Sequence, residues 1–321
     1  MNLFRLAEPP LFTRLHDAAR VLIAGAGGGF DVFGGVPLAV ALEAMGKRVY
    51  LANLSFSDLR RIAIDDWIAP GVAAVQPDTV GNDEYFPERT LARWLASTGR
   101  EPIVFAFPKS GVQPLRAAYR SLIEHLDIDA LVLIDGGTDI LLRGDEAGLG
   151  TPHEDMTSLA AVAGLDDLLR LVVSIGFGID AYHGVCHAHV LENLAALQRS
   201  HAFLGALSIP PDSLESMAYR DAVAYSLTEN PLRPSIVHTQ IADALCGRFG
   251  DVHATDRTRG SQLFVNPLMA TYLTVNLPAL AATVEYLPSL EPTEHAYQVA
   301  QLIEAHLTSR PKPRPPVRFP H

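Results

Sequence analysis

The chain has 321 residues, of which 48% are hydrophobic and 19% are charged, and its net charge is −11 at pH 7. This composition supports a large core and excludes a chain that is disordered over most of its length. The acidic excess excludes a nucleic-acid binder and a protein held on anionic lipid, because both need a basic surface. Cys186 and Cys246 form no CxxC pair and the N-terminus has no apolar signal segment, which predicts a cytoplasmic protein.

The first 180 residues alternate between apolar runs that end in glycine and segments with helix boundaries. "RVLIAGAG" and "VYLANLS" predict strands, and Pro37 and Gly46 bound a helix between them. Uninterrupted β-α-β alternation predicts a mostly parallel sheet with helices on both faces, a Rossmann-like three-layer α/β/α fold. The later elements are a helix over 87–98, a strand "PIVFAF", a helix "VQPLRAAYRSLIEHL", and strands over 130–137 and 168–178.

After residue 180 the pattern becomes mostly helical. "QLFVNPL" predicts a short strand, and the uncharged stretch 267–284 predicts a buried strand or helix, a turn at Pro278 and a helix, not a membrane span. We therefore predict a single domain over 1–308, with a sheet core at about 20–180 and a helical part at about 187–308. The helices expected there are 187–204, 212–227, 234–247 and 293–308.

The C-terminal segment 309–321 is rich in proline and carries four Lys or Arg residues without an acid. One interpretation is an extended, poorly ordered tail. The other is an arm that wraps an acidic neighbouring subunit, and assembly into a homo-oligomer is left open.

Three predicted strands run into glycine-containing turns with an acid, over 25–31, 135–139 and 176–180. Parallel strands bring their carboxyl ends to one edge of the sheet, so these turns are expected along one crevice. In the first turn, Phe30 replaces a glycine of the dinucleotide fingerprint, and no lysine follows at the Walker spacing. Asp31 suits a hydroxyl, an amine or a metal ion, or else caps the helix. The glycines predicted to bind a ligand are Gly25, Gly27, Gly28 and Gly29.

In the second turn, Asp135 is a candidate catalytic residue at the strand end. Thr151 and Glu154 fit a capping box with Pro152 at the first helical position, which gives Glu154 a structural role. The further residues predicted to bind a ligand are Gly136, Gly137, Asp139, Asp155 and, from the later short strand, Asn266. His238 and Asp243 are assigned to an ordinary amphipathic helix, and Arg259 to a surface ion pair.

In the third turn, a helix already formed at His183 would place His183 and His187 one turn apart on one face. That is the spacing of a two-histidine metal site, although Gly184 replaces the glutamate of a metalloprotease helix. We predict that either histidine acts as general acid or base and that Asp180 orients it. A divalent metal, if one binds, is expected on Asp31, Asp135, His183 and His187, and no cofactor is required by the sequence.

The segments "AGAGGGFDVFGGVPLAVALEAMGKRVYLANLSF", "LIDGGTDILLRGDEAGLGTPHEDM" and "GFGIDAYHGVCHAHVLENL" together resemble the DUF1152 family of archaeal and bacterial proteins of unknown function. The resemblance extends to about residue 280. It implies a Rossmann-like sheet and no particular activity.

The residues themselves predict an enzyme that binds a small polar metabolite, nucleoside-, sugar- or amino-acid-like, at the carboxyl edge of the sheet. Asp and His acid–base chemistry would support hydrolysis or group transfer without a redox cofactor. Two alternatives remain open. One is an enzyme that uses NAD(P), ATP or S-adenosylmethionine at the glycine-rich loop, and the other is a non-catalytic ligand-binding or assembly protein.

Overall fold

The computed structural model describes residues 4–310 and 312–318, and the described residues form one nine-stranded sheet flanked by helices. The strands are β1 Arg20–Gly25, β2 Arg48–Ser55, β3 Trp67–Ala69, β4 Val72–Val75, β5 Val104–Pro108, β6 Ala130–Asp135, β7 Leu169–Ser174, β8 Phe203–Ser208 and β9 Thr271–Asn276. The helices are α1 Pro10–Arg14, α2 Val36–Ala44, α3 Pro87–Ser97, α4 Val112–Leu126, α5 Pro152–Ala163, α6 His187–Arg199, α7 Leu214–Glu229, α8 Ile236–Leu245, α9 Leu277–Ala281, α10 Leu287–Leu290 and α11 Ala296–Ser309.

The strand order is β3-β4-β5-β2-β1-β6-β7-β9-β8. The five central strands, from β5 to β7, are parallel, and the two strands at each edge pair antiparallel. After β1 the chain adds β2, forms the outer edge with β3 and β4, and inserts β5 between β4 and β2, before it crosses to add β6 on the other side of β1. This reversal makes a topological switch point between the carboxyl ends of β1 and β6, where α/β sheets open a crevice.

Both faces of the sheet are covered, which confirms the predicted three-layer α/β architecture. Val21 and Ile23 of β1 pack with α1, α2, α3, α7 and α8, whereas Leu22 and Ala24 pack with α4, α5, α6 and the last three helices. Successive side chains of a strand point to opposite faces, so a strand that is covered twice must be apolar at every position. β1 meets this condition from Val21 to Gly25, and only its first residue, Arg20, is charged.

The region after residue 187 contains more strand than the sequence predicts. Helix α6 stops at Arg199, because the backbone at His201 turns into the left-handed region with φ 58°, and β8 begins two residues later. The predicted helix 187–204 is therefore too long. The segment "QLFVNPL" forms a single bridge between Gly250 and Val265 and then a 3₁₀ turn, so its prediction as a strand is also wrong.

The uncharged stretch 267–284 contributes β9 to the sheet and then the short helix α9. No helix in the described ranges combines the length and the apolar character that crossing a bilayer requires.

The C-terminal tail packs on its own chain over 312–318. Arg314 forms ion pairs with Asp145, Glu146 and Glu192, and its backbone forms a bridge with Glu146. The carboxylate of Glu146 is fully buried, so the guanidinium supplies its countercharge. This segment is therefore not the poorly ordered tail that the sequence predicted. Residues 311 and 319–321 of the predicted tail lie outside the described residues.

Replacing the tail arginine tests this anchorage. We expect Arg314→Ala to lower the free energy of unfolding by about 2 kcal/mol, because it leaves the buried Glu146 carboxylate without a countercharge. The exposed Lys312 is the matched control, and Lys312→Ala should change stability by less than about 0.5 kcal/mol. Urea denaturation of the three proteins measures both values. Equal stabilities for all three would contradict an anchored tail.

Candidate active site

A cavity of about 600 Å³ opens at the carboxyl edge of the sheet, at the switch point between β1 and β6. Parts of all three predicted glycine turns line it, so the structure brings them together in one crevice as the topology requires. Carboxylates line this cavity together with aromatic and cationic side chains. The carboxylates come from Asp31, Asp135, Asp139, Asp155 and Asp180, with Glu154 beside them.

Each aspartate lies at a strand end, in the first turn of a helix or in a 3₁₀ turn at this edge of the sheet. Asp135 is the last residue of β6, and Asp155 lies in the first turn of α5. The hydroxyl of Ser158, one turn further along α5, donates to the carbonyl of Ala26 at 2.7 Å. This bond ties α5 to the glycine loop and so fixes the position of Asp155. The other three aspartates belong to the 3₁₀ turns Asp31–Gly35, Asp139–Leu141 and Ile179–His183.

The glycines leave room for these carboxylates. A Cβ at position 27 would lie 2.8 Å from an oxygen of Asp31 and from an oxygen of Asp155, and a Cβ at Gly136 would lie 2.9 Å from Asp31. The Gly27 N–H also donates to Asp31 at 2.7 Å. Any side chain at Gly27 or Gly136 would therefore displace a carboxylate. The first glycine turn is shaped around its own acids.

Asp31, Asp135 and Asp155 form the tightest part of the site, with one oxygen of each within 4.8 Å of the other two. Asp135 and Asp155 are each 3% exposed, and one oxygen of each has no hydrogen-bond partner among the described residues. Burial raises the pKa of Asp31 to about 7, against the hydrogen bond from Gly27. Burial and then the neighbouring negative charges raise the pKa values of Asp135 and Asp155.

Asp139 and Asp180 are held by threonines. Asp139 accepts hydrogen bonds from the N–H of Thr151, at 2.8 Å, and from its hydroxyl, and Asp180 accepts the same pair from Thr138, with the N–H at 2.6 Å. Burial raises the pKa of both aspartates, and these bonds oppose the rise. Thr151 makes no side-chain cap on α5 because its hydroxyl bonds to Asp139, so the predicted capping box is wrong. Asp180 accepts hydrogen bonds from Thr138 and none from His183, so its predicted role in orienting a histidine is not observed.

Aromatic and cationic side chains also line the cavity. The Lys109 ammonium lies 3.8 Å from the centre of the Phe56 ring and forms an ion pair with Glu154 at 2.7 Å. Tyr85 is part of the lining as well. Arg257 reaches the cavity from the long loop between α8 and β9. No glycine turn points to these residues in the sequence. Only Phe56 and Lys109 carry a signal, since each directly follows a parallel strand, β2 or β5, at this edge.

The two histidines of the third turn face different spaces. His183 ends a 3₁₀ turn, is exposed and lines the cavity. Gly184 then enters the left-handed region with φ 83°, and α6 begins only at His187. His187 packs on the Phe177 ring with centroids 5.3 Å apart and lines a separate surface pocket. The predicted histidine pair on one helix face is therefore wrong, and the metal set that includes both histidines is not assembled.

The remaining predicted residues divide between the wall and its support. Gly28 and Gly29 line the cavity, whereas Gly25 lies below it against Asn53. Gly137 packs on Asp180, where a Cβ would meet a carboxylate oxygen at 2.7 Å, and is not part of the lining. Asn266 lies outside the cavity, because its side chain accepts from the N–H of Leu268 and caps a 3₁₀ turn.

His238 lines the cavity although the sequence assigned it to an ordinary helix. Its Nδ1 lies 2.7 Å from the hydroxyl oxygen of Tyr219, and burial lowers its pKa to about 3, so the ring is neutral at pH 7. Its helical spacing gives no signal for this position. Asp243 and Arg259 form ion pairs with Arg248 and Asp256 and do not line the cavity.

Asn53 holds the glycine loop from below. Its amide donates to the carbonyl of Gly29 at 2.8 Å and to the Glu88 carboxylate at 2.7 Å. Glu88 is fully buried in α3, and burial raises its pKa to about 7. Glu88 does not line the cavity, but its carboxylate is linked to the glycine loop through Asn53.

The chain matches a model of a known protein family over most of its length. The family has the description "Protein of unknown function (DUF1152)", and the match covers residues 22–308. A comparison with curated proteins gives no match.

The buried Glu88 predicts a specific pH dependence of stability. Its pKa is higher in the folded chain than the ordinary 4.5, so its contribution is complete below pH 4.5 and is lost as the pH rises through about 7. We expect Glu88→Gln to reduce the loss of unfolding free energy between about pH 4.5 and pH 8 by about 3 kcal/mol. Chemical denaturation at both pH values measures it. The exposed Glu84 is the control. A pH dependence that is equal in Glu88→Gln and Glu84→Gln would contradict the raised pKa.

Proposed function

Because the chain belongs to the DUF1152 family, whose description states no activity, we propose a function from the geometry of the cavity. The chain is an enzyme that binds a small polar metabolite at the carboxyl edge of the sheet and catalyses hydrolysis or group transfer. The observation that carries the proposal is the convergence of five aspartates with raised pKa values on one cavity that His183 also lines.

The lining favours a ligand with two kinds of polar group. Hydroxyl or amine donors suit the carboxylates around Asp135. An anionic group suits Lys109 and Arg257, and an apolar ring or chain suits the face of Phe56. A sugar-, nucleoside- or amino-acid-like metabolite carries this combination.

Proton transfer near neutral pH is the chemistry that these groups support. Asp31, with a pKa of about 7, can gain or lose a proton at physiological pH. His183 is exposed at the mouth and can pass a proton to solvent. The hydrogen bonds to Asp139 and Asp180 keep the floor of the site in place. We assign the proton transfer to His183 and the binding of the reacting group to Asp135 with Asp31.

A nucleotide cofactor at the glycine loop has less support. The N–H of Gly27, which a phosphate would need, already donates to Asp31, and the neighbouring carboxylates repel a phosphate. Thermal shift with NAD(P), ATP and S-adenosylmethionine tests this alternative. Free Cys186 and Cys246 fit a reducing cytoplasm, which we include in the proposal. Assembly of identical subunits stays a prediction.

The two histidines make a matched pair for testing the acid–base role. On a panel of chromogenic esters, amides, glycosides and phosphate esters, we expect measurable hydrolysis of at least one class. His183→Gln should lower its kcat by about a hundredfold, because a general acid or base typically contributes this much. His187→Gln should leave kcat within about twofold. An equal loss in both variants would reject the acid–base role of His183, and no hydrolysis of any class would reject hydrolysis as the proposed reaction.

The arginines of the long loop test how an anionic ligand is held. Arg257 lines the cavity, whereas Arg259 forms an exposed ion pair with Asp256. We expect Arg257→Ala to raise KM for an anionic substrate about tenfold, the effect of losing one charge-assisted hydrogen bond, with kcat little changed. Arg259→Ala should leave KM unchanged. Steady-state kinetics of both variants decides, and matching KM values would remove Arg257 from the binding site.

A further inference from the structure

We infer that Asp31, Asp135 and Asp155 bind a hard divalent cation of the class Mg²⁺, Mn²⁺ or Ca²⁺. The inference deepens the proposed function, on which its catalytic relevance rests, because it adds a cofactor to the same cavity. Binding of the cation itself can be tested without any substrate.

The spacing of the three carboxylates fits one ion. One oxygen of each lies within 4.8 Å of the other two. Ligands on opposite sides of an ion are separated by about twice the bond length, which is roughly 4.1 Å for Mg²⁺ and about 4.6–5.2 Å for Ca²⁺, and neighbouring ligands lie closer. An ion between the three oxygens therefore reaches all of them with small side-chain movements.

A second observation comes from the hydrogen-bond partners. Asp135 Oδ2 and Asp155 Oδ1 are buried and have no partner among the described residues, on side chains that are each 3% exposed. Buried polar atoms almost always have a partner, and an unpaired one costs free energy. The neighbouring Asp139 and Asp180 are bonded to threonines. The two side chains with unpartnered oxygens thus belong to the set that converges, and a cation supplies a partner for them.

The cations of the chain do not serve this purpose. Within the described residues, no lysine or arginine forms an ion pair with any of the three aspartates, and Lys109, which also lines the cavity, is paired with Glu154. Arg257 donates to the carbonyl of Pro234 at 2.6 Å. The negative charge of the three carboxylates is therefore left for a bound ion.

The donor set selects the class of ion. It consists of carboxylates alone, without histidine or cysteine, and such oxygen sets suit Mg²⁺, Mn²⁺ and Ca²⁺ more than Zn²⁺ or Cu²⁺. Three protein ligands leave positions toward the cavity for water or a ligand oxygen. A cation there binds a hydroxyl or carboxylate of the metabolite beside His183 and polarises it.

The test is isothermal titration calorimetry on the full chain after removal of metals with EDTA. MgCl₂, MnCl₂ and CaCl₂ are titrated separately at constant ionic strength. We expect saturable binding of one ion per chain, with a Kd below about 1 mM for at least one of the three. The melting temperature should rise with the concentration of that ion.

Two ligand variants and one control identify the site. Asp155→Asn and, as an independent second variant, Asp135→Asn should weaken binding at least tenfold, because even residues that only support ligands contribute that much. Both remove a buried negative charge and should remain folded in EDTA. Asp166→Asn, just beyond the far end of the same helix α5 and exposed, should bind as the unmodified chain does.

The outcomes separate the cation from the catalytic proposal. No saturable binding of any of the three ions, or equal binding by Asp155→Asn and the unmodified chain, overturns the cation site. Hydrolysis that persists in EDTA and depends on His183 also overturns it as a cofactor site, while the proposed function stands. Cation binding that both ligand variants lose, in a chain without hydrolytic activity, supports the site and rejects the proposed function.

Discussion

Mutual repulsion among buried carboxylates is the constraint around which the carboxyl edge of this sheet is arranged. Five aspartates face one cavity, and burial disfavours the charged form of each. The surrounding structure compensates for two of them, because Thr138 and Thr151 donate hydrogen bonds to Asp180 and Asp139. No lysine or arginine among the described residues pairs with the three that converge. Protons, or the cation proposed above, would relieve the repulsion that remains there.

The three-layer fold is what holds these charges together against their repulsion. The parallel strands β1, β6 and β7 are apolar and covered on both faces, so their carboxyl ends cannot separate without opening the core. Segments distant in sequence then complete the wall. Ser158 ties α5 to the glycine loop, Asn53 ties that loop to α3, and the loop after α8 delivers Arg257. Burial of the apolar core thus offsets the free-energy cost of holding these like charges close together.

The aspartates, the glycines beside them and His183 were within reach of sequence reasoning, whereas Tyr85, Arg257 and His238 were not. Apolar runs that end in glycine located the parallel strands. The parallel arrangement then required Asp31, Asp135 and Asp180 to share an edge of the sheet. The prediction of a histidine pair was wrong because Gly184 interrupts the assumed helix. The spacing of apolar residues does not reveal that a residue adopts the left-handed conformation. His238 comes from a helix whose apolar spacing looks ordinary, and its position depends on tertiary packing. The roles of these residues in binding and catalysis stay predictions.

The glycine-rich turn after β1 shows why such a loop should be interpreted with its neighbours. In a dinucleotide or phosphate site, glycines allow the backbone to approach an anion that arrives with the ligand. Here the N–H of Gly27 donates to Asp31, and the space above Gly27 and Gly136 is taken by carboxylate oxygens. The anion that these glycines approach is therefore part of the protein, because the acid that follows them accepts the backbone hydrogen bond that a phosphate would need. Our proposal accordingly places hydroxyl or amine donors, or a cation, at this turn and leaves the anionic group of the ligand to Lys109 and Arg257.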